Sequence, residues 1–219
     1  MSVSLSRNIA AVCTLVGAQS TERESRRIIV AIAGPPASGK STLAAAVVAE
    51  LNTARPGAQF AALMTMDGFH LDNRILRARR LLDKKGAPET FDAIGFKWHL
   101  DRVRAADHDV CVPAFDRMRD LAIAQAELIP AELPVVVVEG NYLLLKHAPW
   151  AACHDAYDVT VYLDVAIAEL DHRLVKRWLS HGYDRNAAQK KAQDNDIPNA
   201  RLVLEQSVGA DLMLSNGPA

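Results

Sequence analysis

The feature that most constrains the fold is the motif G-x-x-x-x-G-K-S at residues 34–41. It follows a short β-branched run, residues 27–33, that is typical of a buried strand. It precedes an alanine-rich run, residues 42–51, that is typical of a helix. A glycine-rich turn between a strand and a helix directs several backbone N–H groups to one point, at the positive end of the helix dipole. The motif therefore predicts a strand–loop–helix unit that binds the phosphates of a nucleoside triphosphate.

Two side chains of the motif have expected chemical roles. Lys40 is expected to reach the β- and γ-phosphates, and the Ser41 hydroxyl is expected to ligate Mg²⁺. ATP and Mg²⁺ are therefore the expected cofactors, with the choice between ATP and GTP left open. The positions predicted to bind the nucleotide are Gly34, Pro35, Pro36, Ala37, Ser38, Gly39, Lys40, Ser41 and Thr42.

Composition agrees with a globular enzyme. The chain has 219 residues, of which 50% are hydrophobic and 23% charged, and its formal net charge is −1. This charge argues against a general nucleic-acid binder, which needs a basic surface. The three cysteines are too scattered for a disulfide framework and indicate reduced thiols. No apolar run is long enough to cross a bilayer. We expect a cytoplasmic protein that binds neither nucleic acid nor membrane.

The N-terminal segment has two interpretations. An arginine at position 7, an apolar stretch at residues 9–16 and two small residues after it loosely imitate a secretory signal. The same residues place Ile9, Val12 and Val16 on one face of an amphipathic helix. We favour the helix, because ATP-dependent chemistry belongs inside the cell. The charged residues 21–26 would then link this helix to the first strand.

Further strand-like runs alternate with helical patterns along the chain. Continuous apolar strands separated by helices predict a parallel sheet with both faces covered. The expected fold is therefore α/β, with three layers, and we expect residues 1–219 to form one domain. The additional strands are predicted at residues 61–66, 110–114, 134–139, 158–163 and 210–214.

Two carboxylates stand where predicted strands end, the edge at which parallel sheets collect their ligands. Asp67 follows the second strand and could accept the proton of a substrate hydroxyl as it attacks the γ-phosphate. An Asp-Gly pair is also a common turn, so spacing alone leaves both roles open for Asp67. Glu139 ends the fourth run and is predicted to hold Mg²⁺ directly or through water, the alternative being a carboxylate that faces solvent.

Several short motifs occur together in one order along most of the chain. In that order and composition the chain resembles the uridine kinase, phosphoribulokinase and bacterial pantothenate kinase family of P-loop kinases. Within this family, residues 84–92 and 195–200 are most similar to a bacterial subgroup labelled nucleoside/nucleotide kinase or fructose transport system kinase. The matching pieces are residues 34–42, 66–70, 89–92, 115–117, 138–140 and 171–177.

The resemblance implies roles for four residues on the acceptor side. It makes Asp67 the catalytic base and Asp92 a residue that holds substrate hydroxyls. His70 and Arg117 become neighbours of the acceptor. The aromatic and histidine residues with which uridine kinases grip the base have no convincing counterparts in this chain, which argues against a pyrimidine acceptor.

The resemblance also implies a mobile helical lid at about residues 166–199. In it, Arg173, Lys176 and Arg177 would be cations that close over the transferring phosphate, with Arg173 and Arg177 acting in catalysis. The alternative for these three is a solvated basic helix face. Residues 181–191 are polar and poor in apolar anchors, so low local stability is expected there.

The predicted function is a Mg²⁺- and ATP-dependent kinase that phosphorylates an alcohol group of a small molecule. Sugars, nucleosides, pantothenate-like compounds and sugar phosphates remain open as acceptors. The alternative is a nucleotide-regulated switch protein that serves a sugar uptake system. Oligomeric state also stays open, with a homodimer as one option.

Overall fold

A five-stranded parallel sheet lies at the centre of the computed structural model, which describes residues 3–22, 27–55, 57 and 59–217. Its strand order is β2-β5-β1-β6-β7, so the first strand lies in the middle of the sheet. Every residue of β1 and of β5 is buried, because helices cover both faces of the sheet. The strands of the described residues are β1 (Ile28–Ala33), β2 (Ala61–Thr65), β3 (Val110–Asp116), β4 (Leu121–Ile129), β5 (Val135–Gly140), β6 (Val159–Asp164) and β7 (Leu212–Ser215).

Helices connect these strands. A short 3₁₀ turn, Met66–Phe69, follows β2, and a π-helical stretch, Ala192–Asp196, joins α6 to α7. In the described part of the chain, no helix combines the length and the apolar character needed to span a membrane. The helices are α1 (Val3–Glu22), α2 (Lys40–Thr53), α3 (Asn73–Ala78), α4 (Ala93–Ala105), α5 (Ile167–Ser180), α6 (Arg185–Lys191) and α7 (Ile197–Gln206).

The two faces of the sheet bury separate hydrophobic cores. On one face, Val12 of α1 and Leu43 of α2 pack with Ile32 of β1. On the other face, Phe96 of α4 packs with Trp150, and both side chains are almost fully buried. The molecule therefore has helix, sheet and helix layers, which confirms the predicted α/β fold class.

The N-terminal segment is helical, as the amphipathic pattern predicted. Ile9, Val12 and Val16 are buried in the same core as β1 and α2. Asn8 extends the contact, because its side-chain amide donates to the backbone oxygen of Ser215 at 3.1 Å. Most of the linker predicted at residues 21–26 lies outside the described residues.

The prediction for residues 110–114 was wrong about the sheet. This run, β3, does not join the parallel sheet but forms an antiparallel hairpin with β4, which the sequence analysis missed. β4 is exposed along most of its length although only Gln125 and Glu127 among its residues are polar, so its apolar character does not place it in the buried parallel sheet. The hairpin ends in a tight turn, in which Asp116 Oδ1 accepts from the backbone N–H groups of Met118 and Arg119 at 2.9 and 3.0 Å.

Candidate active site

Three neighbouring strands bring the candidate site together at one edge of the sheet. β5 lies between β1 and β2, and Glu139 of β5 is in register with Ile32 on one side and Thr65 on the other. Because the strands are parallel, the phosphate loop (residues 34–41) and Asp67 both leave the sheet beside Glu139. This is the edge at which open α/β sheets bind ligands.

The phosphate loop has the geometry of an anion cradle. Gly39, which precedes α2, has a left-handed backbone with φ of 94°. This backbone conformation favours glycine, and a Cβ at Gly39 would also displace the Asn216 amide, since it would lie 2.6 Å from Asn216 Nδ2. The first N–H groups of α2 have no partners within the helix and carry its positive dipole end. In addition, the fully buried Ser38 hydroxyl finds no hydrogen-bond partner among the described residues.

Lys40, Ser41 and Glu139 meet beneath this loop. The Ser41 hydroxyl donates to Glu139 Oε2 at 3.1 Å, and Glu139 is only 3% exposed. Burial raises the pKa of Glu139, while the charge of Lys40 partly offsets that effect. Burial likewise lowers the pKa of Lys40, and the charges of Glu139 and Asp67 oppose the shift. A hydroxyl and a carboxylate oxygen are ligands that suit Mg²⁺, so these residues fit the ion that the sequence predicted.

Asp67 lies on the 3₁₀ turn that follows β2. Arg117 Nη2 donates to Asp67 Oδ2 at 3.0 Å, and the Asp67 side chain keeps 26% of its surface exposed. The hairpin turn between β3 and β4 carries Arg117, so the missed hairpin supplies part of this site. Because Asp67 and Arg117 both contribute to the pKa of Lys40, the structure brings these three predicted residues together.

His70 forms an aromatic wall next to Asp67. Its ring lies 4.0 Å from the Phe91 ring and 4.6 Å from the Phe115 ring, measured between centroids. His70 Nδ1 is 2.8 Å from the backbone oxygen of Asp67. Burial lowers the pKa of His70, so the imidazole is neutral at pH 7. The neutral ring offers packing and hydrogen bonding rather than a charge.

The backbone N–H of Asp92 donates to the backbone oxygen of Phe69, beside His70, at 2.8 Å. The side chain of Asp92 caps the N-terminus of α4, with Oδ1 accepting from the backbone N–H of Gly95 at 2.9 Å. It also lies on the wall of a cavity of about 540 Å³ whose apolar floor includes Phe91 and Trp150. Among the described residues that line this cavity, Asp67, His70 and Arg117 are absent. The predicted role of Asp92 in holding substrate hydroxyls therefore stays a prediction.

The predicted lid cations differ in what they contact. Arg173 of α5 donates from Nε to Glu169 at 2.6 Å and from Nη2 to the backbone oxygen of Asn216 at 2.7 Å. Its Nη1 lies 3.4 Å from the backbone oxygen of Ala37 in the phosphate loop. Arg177, one turn later, is exposed, and its charge lowers the pKa of Lys40. Arg173 thus joins α5 to the loop, whereas Arg177 keeps its guanidinium in solvent near Lys40.

The segment from residue 166 to residue 199 has a small core of its own. Leu170, Leu174 and Ala192 are buried together there, and Ala188 of α6 is also buried. Trp178 packs edge-on against the Tyr183 ring at 5.3 Å. Within residues 181–191 only Ala188 is buried and Tyr183 stays 38% exposed, so the expected shortage of apolar anchors there is confirmed, while the low local stability expected from it stays a prediction.

One contact residue was missed although the sequence held a signal for it. Asn216 follows β7 directly, and its side-chain amide donates to the backbone oxygen of Ser38 at 2.7 Å. Parallel sheets bind ligands at the edge where their strands end, which is why Asp67 and Glu139 were predicted, and this asparagine stands at the same edge. Asn216 links the last strand to the phosphate loop and to Arg173.

Comparison with known proteins identifies the family of the chain. A model of the phosphoribulokinase/uridine kinase family matches residues 29–218, which is most of the chain. The chain belongs to the phosphoribulokinase/uridine kinase family. The predicted resemblance is thereby confirmed, and with it the assignment to the P-loop kinases.

Three similar proteins illustrate the membership. A crystal structure of a "putative fructose transport system kinase" from a Silicibacter species has a TM-score of 0.87 and 44% identity, over 94% of this chain and 98% of that one. The uncharacterized protein YggC of Escherichia coli is 33% identical over 91% of this chain and 82% of its own length. A "putative uridine kinase" of Schizosaccharomyces pombe is 30% identical over 88% of this chain and 84% of its own.

Proposed function

We propose that the protein is an ATP-dependent kinase that transfers the γ-phosphate to an alcohol group of a small molecule. Family membership supports a small-molecule kinase in general. The observation that carries the finer proposal is the position of Asp67: a partly exposed carboxylate beside Lys40 that Arg117 holds through one oxygen. A switch protein needs no carboxylate at this place, whereas a kinase needs one beside the attacking hydroxyl.

The nucleotide side of the proposal rests on the phosphate loop. Lys40 would contact the β- and γ-phosphates, with the loop backbone around them. Ser41 and Glu139 would hold Mg²⁺, Glu139 either directly or through water. When bound, the ion would neutralise negative charge on the phosphates. The near-complete burial of Glu139 would keep its carboxylate away from bulk water and directed at the ion.

On the acceptor side, we assign the role of general base to Asp67. Arg117 occupies Oδ2, while Oδ1 makes no hydrogen bond with the described residues. The free oxygen Oδ1 would accept the proton of the acceptor hydroxyl as the hydroxyl oxygen attacks the γ-phosphate. His70, held between Phe91 and Phe115, would form a neutral wall for the acceptor. We keep sugars, nucleosides, pantothenate-like compounds and sugar phosphates as the candidate acceptors.

A screen for acceptor-dependent ADP release tests this proposal. The full chain is incubated with ATP and Mg²⁺, and ADP is measured in the presence of each of the four acceptor classes. We expect one class to raise ADP formation well above the rate without acceptor. A nucleotide-regulated switch would instead hydrolyse ATP slowly and at one rate whatever is added. That second result across all four classes would contradict the kinase and favour the switch.

We infer that residues 166–199 act as a lid in a single kinase domain and that Arg177 stabilises the transferring phosphate. Replacing Arg177 with alanine should lower kcat by roughly 10²-fold, with a much smaller change in the KM for ATP, because the charge matters most in the transition state. Arg185→Ala is the matched control, since Arg185 is exposed on α6 in the same segment and its side chain makes no hydrogen bond or ion pair with the described residues. Steady-state kinetics of both variants test this. Equal, small effects would make Arg177 part of a solvated helix face.

A further inference from the structure

Lys85 has an unusual environment for a lysine. Its side chain is only 12% exposed, although burying an ammonium group is costly unless its donors are satisfied. The ammonium donates to Asn73 Oδ1 at 2.8 Å and to the backbone oxygen of Asp120 at 2.6 Å. It also forms an ion pair with Asp120 Oδ2 at 2.9 Å and lies 5.1 Å from the centre of the Phe115 ring. Two hydrogen bonds and one ion pair therefore hold the ammonium group within the protein.

The group that Lys85 holds is the turn of the β3–β4 hairpin. Asp120 closes that turn with a left-handed backbone, φ of 54°, and Asn73 at the start of α3 lies 3.4 Å from its carboxylate and its backbone oxygen. Arg117 is in the same turn, and its side chain is 55% exposed. A long, exposed arginine keeps one geometry only if its backbone is fixed. Lys85 thus fixes the end of the turn that carries Arg117, while Asp116 fixes its beginning.

The backbone of Lys85 is itself fixed from two other parts of the molecule. Asn195, in the π-helical stretch between α6 and α7, donates from Nδ2 to the backbone oxygen of Lys85 at 2.9 Å. The Tyr142 hydroxyl, three residues after Glu139, donates to the backbone oxygen of Gly86 at 2.5 Å. Lys85 thus stands between the helices of the proposed lid, the strand that carries Glu139, and the hairpin turn.

We propose that Lys85 is a positioning residue for the catalytic base: by tethering the β3–β4 turn to α3, it holds Arg117 against Asp67. The inference rests on the proposed function of Asp67. Lys85 acts through Asp120 and Arg117, because its ammonium group is held by Asn73 and Asp120 rather than directed at Asp67. Asn195 transmits the position of the π-helical stretch to this tether, so the same chain of contacts joins the lid segment to the base.

The test compares Lys85→Met, which keeps an unbranched side chain without donors, with Lys84→Met. Lys84 is exposed, and its side chain makes no hydrogen bond or ion pair with the described residues. Lys85→Met should lower kcat by roughly 10- to 100-fold, since misplacing a catalytic group by about 1 Å costs up to roughly 10²-fold. The KM for ATP should stay within about twofold, because the nucleotide contacts lie elsewhere. Lys85→Arg should recover part of the rate.

A double-mutant cycle shows whether Lys85 acts through Arg117. The variant with both Lys85→Met and Arg117→Met should be no slower than Arg117→Met alone, since neighbours in one network are not additive. If the double variant instead lost the product of the two separate fold-losses in kcat, the proposal would be overturned. An increased KM for the acceptor with kcat unchanged would also overturn it, because that result would mean that Lys85 binds the acceptor itself.

Hydrogen exchange tests the tether at Lys85 independently of the proposed kinase activity. Without any substrate, the amides of residues 117–121 should exchange roughly tenfold faster in Lys85→Met than in the wild type, and not in Lys84→Met. Unchanged exchange would overturn the tether even if the enzyme is active. Faster exchange in a protein that phosphorylates no acceptor would keep the tether and contradict the kinase.

Discussion

Replacing Lys40 with alanine should reduce turnover by at least roughly 10²–10³-fold, the usual cost of losing a group that stabilises charge in the transition state. Lys40 is 9% exposed and lies where the charges of Glu139, Asp67, Arg177 and Arg117 meet. Its loss removes the cation that would hold the β- and γ-phosphates, so ATP should also bind more weakly. Steady-state kinetics and ATP titration of the purified variant measure both effects.

Two controls make the Lys40 result interpretable. Lys97→Ala removes a lysine from the surface of α4, where it pairs with Asp101 four residues on, and should leave the rate unchanged. Thermal unfolding shows whether Lys40→Ala is folded, which matters because the nearby Glu139 is buried. Near-normal turnover in a folded Lys40→Ala protein would contradict the assignment of residues 34–41 as the phosphate loop.

Replacing Asp67 with asparagine should lower kcat by roughly 10²–10⁴-fold, the typical loss when a general base is removed. The amide keeps the size of the side chain but accepts no proton. Affinity for ATP should hardly change, because Lys40 and the phosphate loop remain intact. Acceptor-dependent ADP release gives the rate, and calorimetric titration gives the affinity.

The matched control for Asp67→Asn is Asp72→Asn. Asp72 undergoes the same chemical change but is a solvent-exposed cap of α3, where asparagine caps equally well, so the rate should not change. If Asp67→Asn instead lost its ATP affinity while the acceptor-dependent rate survived, Asp67 would be a magnesium or structural residue. The base would then have to lie elsewhere in the site.

The fold could be predicted from sequence where a single element carries its own pattern. β1 is an uninterrupted apolar run, β5 begins with four valines, and both strands are buried throughout. The phosphate loop lies between a strand and a helix that are each recognisable alone. The β3–β4 hairpin was not predictable in this way. β4 is exposed although most of its side chains are apolar, and its place is set by pairing with β3 rather than by burial.

The candidate site likewise has residues that a local sequence pattern predicts and residues that only long-range packing brings together. Asp67 and Glu139 were found because each stands at a strand end beside the phosphate loop, a position that the order of elements defines. The tether around Lys85 was not found, since its partners are distant in sequence: Asn195 is 110 residues away and Asp120 is 35. No periodicity marks such contacts, because they arise only when separate elements pack together.

The most direct test of the central claim is to follow the phosphate itself. The protein is incubated with ATP carrying a labelled γ-phosphate, Mg²⁺ and the acceptor class that raises ADP release, and products are identified by mass spectrometry. The account predicts a labelled phosphate ester of the acceptor in equal amount to ADP, and almost none with Asp67→Asn. ADP and free labelled phosphate in equal amounts, with no phosphorylated acceptor, would contradict it.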